Sequence, residues 1–78
     1  MATAPSPIET DLAHLTWPFY LLELKSVLKP MEPGQLLKAK VADSVAMAHI
    51  NQIMEASPDQ VLGTETQGAG YVLTIVKG

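Results

Sequence analysis

The chain has 78 residues and a net charge of −3, with five lysines and no arginine. Its length allows one small domain, and a hydrophobic content of 47% is typical of a folded domain rather than a disordered tail. The acidic balance disfavours nucleic acid as a partner, because phosphate backbones attract positive charge. No apolar run reaches the roughly 18 residues that a membrane-spanning helix needs, and no signal peptide is recognisable. The sequence therefore predicts a cytoplasmic protein without membrane insertion.

The beginning of the chain predicts a leader followed by a strand. Residues 1–7 are small, polar and proline-bearing, so we expect a flexible leader ahead of a single domain over residues 8–78. Residues 8–12 alternate apolar and polar side chains, as a half-buried strand does. Residues 14–16 are expected to form the turn that follows this strand.

The next segment predicts an amphipathic helix. Pro18 suits the first turn of a helix, where its missing N–H is not needed. Leu21, Leu24 and Leu28 recur at helical spacing and predict the buried stripe of this helix. Pro30 ends the pattern, because proline cannot continue a helix.

A second strand and a second helix follow. Residues 36–41 alternate again and predict a strand with Lys38 and Lys40 on its solvent face. Either Asp43 or Ser44 is expected to cap the following helix, because a short oxygen-bearing side chain accepts from the free N–H groups of the first turn. The predicted apolar stripe of this helix consists of Ala46, Ile50, Ile53 and Met54.

The last segment predicts a hairpin. Residues 61–67 and 71–77 are strand-like and flank the short connection Gly68-Ala69-Gly70. The predicted order is therefore βαβαββ. Two helices with one apolar stripe each cover only one face of a sheet. The sequence predicts an α+β two-layer sandwich: a four-stranded mixed sheet with two helices on one face and its other face open.

A family resemblance rests on several short motifs. Residues 11–18 read DLAHLTWP and resemble the signature D-x-x-G-L-x-C-P of the TusA/SirA family of small sulfur-carrier proteins. Residues 31–34 and 42–44 resemble the turns that precede the family's second strand and second helix, and residues 71–78 resemble its closing strand. The resemblance runs without an evident gap from Asp11 to the C-terminus. It implies the βαβαββ fold. In that family, the position equivalent to residue 17 is a cysteine that holds sulfur as a persulfide.

The departures from the family pattern gather at one place. His14 stands at the family's glycine, Trp17 at its cysteine, Tyr20 at its second proline and Ala42 at the first acid of its usual pair. The sequence contains no cysteine, and persulfide transfer needs a thiolate. The sequence therefore predicts a protein that cannot carry sulfur covalently and is not an enzyme.

Trp17 invites two interpretations. The resemblance implies docking of this region against partners, and tryptophan is over-represented among binding hot spots. We therefore predict a partner-binding surface for proteins of a sulfur-relay system or a cysteine-bearing relative. Its residues, here called the aromatic corner, are Trp17, Pro18, Phe19, Tyr20 and His14. The duller interpretation is that Trp17 folds over the core beside Leu21, and a different class of function is self-assembly through the corner or through the open sheet face.

The two histidines, His14 and His49, raise the question of a metal. A zinc site needs three or four ligands in tight geometry, and the sequence has no short-spaced pair of such ligands. His49 is expected at the edge of the second helix's apolar stripe, hydrogen-bonded locally. The sequence thus predicts no metal and no cofactor, and it identifies no carboxylate that would orient His14 for acid–base catalysis.

Overall fold

The computed structural model describes residues 7–78, so most of the expected leader lies outside the described residues. The predicted order βαβαββ is confirmed, with boundaries that differ by one residue from those expected at several ends. In chain order the elements are β1 (Ile8–Asp11), α1 (Phe19–Leu28), β2 (Leu36–Val41), α2 (Ser44–Glu55), β3 (Gln60–Gln67) and β4 (Gly70–Val76).

The four described strands form one mixed sheet in the order β1-β2-β4-β3. β1 and β2 run parallel, which requires a crossover connection, and α1 supplies it. β4 pairs antiparallel with both β2 and β3. β3 and β4 are joined by a tight turn at Gly68 and Ala69, so Gly70 already belongs to β4 rather than to the connection.

The core lies between the helices and one face of the sheet. Leu37 of β2 and Leu73 and Ile75 of β4 are fully buried, and they alternate with exposed or half-buried residues along each strand. Leu24 of α1 and Ile50 of α2 are fully buried against this face. Because each helix has one apolar stripe, both pack on the same side and give the predicted two-layer sandwich.

The other face of the sheet carries charged side chains from two neighbouring strands. Glu9 lies beside Lys38 and Asp11 beside Lys40 in the parallel register of β1 and β2. All four side chains are exposed, as the alternation of the sequence predicts. This face has the mixed charge of a solvated surface.

Asp43 is the residue that caps α2. Its Oδ1 accepts the N–H of Ala46 at 2.9 Å, while Ser44 is already the first residue of the helix.

Both helices begin at the end of the sheet where β1 and β2 finish, so the first turns of α1 and α2 lie close together. Within residues 7–78, neither the ten-residue α1 nor the twelve-residue α2 is long enough to cross a membrane.

Candidate functional site

The residues of the aromatic corner lie at the start of α1, and most of them face solvent. Trp17 is 56% exposed and Phe19 is 57% exposed, and Pro18 and His14 are also exposed. Trp17 is therefore not a core residue. Tyr20 differs from the rest of the corner, since it is only 5% exposed. Its ring lies beneath the exposed residues of the aromatic corner.

Tyr20 and Trp17 form an aromatic cluster with His49 of α2. The ring centroids of Trp17 and His49 lie 4.5 Å apart, and those of Trp17 and Tyr20 lie 5.9 Å apart in an edge-to-face arrangement. The Tyr20 hydroxyl and His49 Nδ1 share a hydrogen bond. The expectation of a local partner for His49 is corrected here: its partner belongs to the other helix, 29 residues away.

The electrostatic surroundings keep Tyr20 neutral. Burial raises the pKa of the Tyr20 hydroxyl above its ordinary value of 10.0, and the negative charge of Asp43 raises it further. A protonated hydroxyl donates to His49 Nδ1 when the imidazole carries its own proton on Nε2. The hydrogen bond thus fixes the position of the imidazole against which the indole of Trp17 rests.

A groove of about 360 Å³ lies between the first turns of the two helices. We call it the α1–α2 groove. Its lining is mainly apolar and aromatic. Among the described residues that line it, Asp43 is the only acidic one and none is a lysine. The lining residues are Leu12, Ala13, His14, Leu15, Thr16, Trp17, Tyr20, Ala42, Asp43, Val45, Ala46 and His49.

Two further apolar side chains enlarge the exposed surface around this groove. Val45, in the first turn of α2, lines the groove and is 61% exposed. Leu22 is 59% exposed and follows Phe19 by three residues on α1. Neither residue is among the site residues predicted from the sequence. The spacing of Phe19 and Leu22 outside the buried stripe was the signal for the second of them.

A larger cavity, of about 490 Å³, lies at the opposite end of the molecule, between the end of α2 and the start of β3. Polar residues such as Asn51, Glu55 and Asp59 contribute to its lining, and no aromatic residue does. The larger volume therefore belongs to a region whose lining lacks the aromatic anchors typical of binding sites. We regard the α1–α2 groove as the candidate site because aromatic, apolar and charged side chains converge there.

The side chains of the groove are suited to binding. Indole, imidazole and aliphatic side chains bury apolar surface, and the chain has no cysteine that would supply a thiolate. In the part of the chain that the structure describes, no three histidine, aspartate or glutamate side chains come together as a potential metal site. His14 and His49 both line the groove, but no carboxylate cluster accompanies them.

Comparisons of the chain with protein-family models, with curated proteins and with solved structures found no match. The resemblance to the TusA/SirA family therefore stays a prediction. The geometry of the site does not depend on this resemblance. The protein is a two-layer sandwich, and its aromatic corner borders a groove between two helix starts.

Proposed function

We propose that this chain is a non-catalytic, TusA-like docking module that binds protein partners through the α1–α2 groove and the apolar surface beside it. The observation that carries the proposal is the exposure of four large apolar side chains in, or just before, the first turns of α1 and α2. They are Trp17, Phe19, Leu22 and Val45. Clusters of exposed apolar side chains mark interaction sites, because water disfavours them unless a partner covers them.

Trp17 has the features of an anchor for a partner. Its exposed part offers apolar surface to a partner, and its packing against His49 holds the indole in one orientation. A side chain that is ordered before binding loses little entropy when it binds. Truncation of such an anchor typically costs an interface about 2 kcal/mol or more.

The resemblance to sulfur carriers suggests which partners to test first. In that family the same corner meets the proteins that deliver and receive sulfur. The present chain retains the position but not the thiol, so it would occupy such partners without accepting sulfur. We therefore propose sulfur-relay proteins of the cytoplasm, or a cysteine-bearing relative, as its partners.

The test compares partners captured from a lysate of the native host by the wild type and by Trp17→Ala. Leu62→Ala is the matched control, because Leu62 is an apolar residue on β3 whose 59% exposure is close to the 56% of Trp17. We expect cysteine desulfurases, rhodanese-like proteins or a cysteine-bearing relative to be enriched by the wild type and by Leu62→Ala but lost from Trp17→Ala. Circular dichroism verifies that each variant is folded. An identical set of partners for all three proteins would contradict the docking role.

A second copy of this chain is the alternative partner, favoured by the same exposed apolar surface. Two copies related by a two-fold axis would cover each other's groove with identical residues. Light scattering over a wide range of concentrations distinguishes this structural role from docking to another protein. A mass that rises with concentration, and no longer does so in Trp17→Ala, would support self-assembly. A strict monomer at high concentration would exclude it.

A further inference from the structure

The charge of the α1–α2 groove narrows the chemistry of its occupant. Among the described lining residues, the carboxylate of Asp43 is surrounded by apolar, aromatic or uncharged polar side chains and two histidines. Asp43 and Tyr20 line the same groove, and after burial the charge of Asp43 is the second cause of the raised pKa of the Tyr20 hydroxyl. The whole chain is acidic as well, with a net charge of −3. Each helix start adds a partial positive charge to the groove, but the full negative charge of Asp43 and the acidic chain as a whole favour a cationic occupant.

Asp43 retains binding capacity beyond its structural role. The capping hydrogen bond to Ala46 uses Oδ1, and the second oxygen, Oδ2, is the one that a donor from a partner would meet. Asp43 itself is exposed, so a side chain from outside can reach it. An arginine offers two features that match this place: a planar guanidinium that stacks on an indole and N–H groups that pair with a carboxylate.

We propose that the partner segment bound in the α1–α2 groove presents an arginine, which lies between the indole of Trp17 and the carboxylate of Asp43. This inference rests on the proposed docking function and specifies the chemistry of the partner. Apolar neighbours of that arginine would cover Val45, which lines the groove, and the exposed Phe19, two residues after Trp17. The cation gives specificity, while the apolar contacts supply most of the buried area.

The test uses two small probes that differ in charge but hardly in shape: N-acetyl-arginine amide and N-acetyl-citrulline amide. The chain contains one tryptophan, so the indole N–H signal in an NMR spectrum reports on Trp17 alone. We expect the arginine probe to shift this signal in a saturable manner and the citrulline probe to bind about fivefold more weakly, as a partly exposed cation–aromatic contact implies.

Asp43→Asn removes the charge but keeps a side chain that caps helices equally well. We expect it to weaken the arginine probe about fivefold and to leave the citrulline probe unchanged. Glu55→Gln is the matched control, because Glu55 is an exposed carboxylate at the opposite end of the same helix. Its affinity for the arginine probe should equal that of the wild type.

Salt dependence in the wild type gives an answer that needs no variant. Added salt should weaken the arginine probe and not the citrulline probe, since screening acts on charge. Equal binding of both probes, an equal effect of Glu55→Gln and Asp43→Asn, or no shift of the Trp17 signal would overturn the inference. If any of these results occurred while Trp17→Ala still lost its captured partners, the docking function would be retained and the arginine proposal rejected. If Trp17→Ala retained its partners, the docking function would fall.

Discussion

The Tyr20 hydroxyl joins the two helices through its hydrogen bond with His49. Tyr20 therefore contributes to the candidate site in two ways, although little of it is exposed. Its ring is buried in the core that α1 shares with the sheet, and its hydroxyl fixes the imidazole that supports Trp17. An aromatic residue with a polar tip suits this boundary, since one end is apolar and the other finds a partner.

Replacement of Tyr20 by Phe removes the hydroxyl and leaves the ring. At neutral pH we expect a loss of about 1 kcal/mol in the free energy of unfolding, the typical net value of such a hydrogen bond. The pH dependence has a definite sign. Because the folded-state pKa of Tyr20 is raised above 10.0, its contribution is complete below that pH and is lost as the pH rises through the folded-state pKa.

The stability of the wild type should thus fall more steeply than that of Tyr20→Phe above about pH 10. Urea unfolding at several pH values measures both curves, and the difference between them isolates Tyr20 because every other titrating group is common to the two proteins. Curves that stay parallel through the alkaline range would contradict the raised pKa.

At the scale of elements, the sequence predicted the strands and helices well because each buries one face. In β2 the alternation of Leu37, Ala39 and Val41 with lysines determined both the strand and its orientation, and the predicted bounds agree with the structure. The helix starts were predicted to within a residue: Pro18, expected in the first turn of α1, is its N-cap, and of the two expected caps of α2 the structure has Asp43. Such elements can be predicted from the local sequence because the alternation or helical spacing of apolar residues shows which face of the element is buried.

The hairpin between β3 and β4 depends on two glycines for different reasons. Gly68 has a φ of +59° at the turn, but a side chain there would meet nothing within 4 Å. Gly70 has an ordinary φ, but a side chain there would collide with the carbonyl oxygen of Val41 on the neighbouring β2. Residue 68 thus needs glycine for its left-handed backbone conformation, and residue 70 needs glycine because the backbone of β2 leaves no room for a side chain.

This difference predicts a rank order for two substitutions. Gly68→Ala should cost about 1 kcal/mol, from left-handed backbone strain alone. Gly70→Ala should cost more than about 2 kcal/mol, because the end of β2 must move away from β4 to admit the methyl group. Thermal unfolding followed by circular dichroism compares the two variants with the wild type. The reverse order would show that the approach of Gly70 to Val41 is not tight.

At the scale of the whole molecule, the sheet has two ends with different roles. The end where β1 and β2 finish carries the α1–α2 groove. The sequence indicated this end through the helix starts and the motif around Trp17. It did not predict the pairing of Tyr20 with His49, because that contact depends on how α1 and α2 lie relative to each other across 29 residues of chain. No local periodicity encodes such a distance.

At the opposite end of the sheet, the buried Asp59 connects the start of β3 to the residues after β4; it is 7% exposed. Its Oδ1 accepts the N–H of Gly78 at 2.8 Å and lies 3.7 Å from the Nζ of Lys77. The backbone of Lys77 also bonds to Gly34 and Gln35, just before β2. A single carboxylate thus ties the start of β3 to the end of β4, next to the point where the chain end meets β2.

Asp59→Ala tests whether the two ends are energetically independent. We expect a loss of about 2 kcal/mol in the free energy of unfolding, because the variant removes a buried carboxylate that accepts the Gly78 N–H and pairs with Lys77. Trp17 lies at the other end of the sheet, so its fluorescence spectrum and the proteins captured through it should not change in the folded variant. A shift of the Trp17 emission in folded Asp59→Ala would instead show that closure of the sheet at one end sets the shape of the groove at the other.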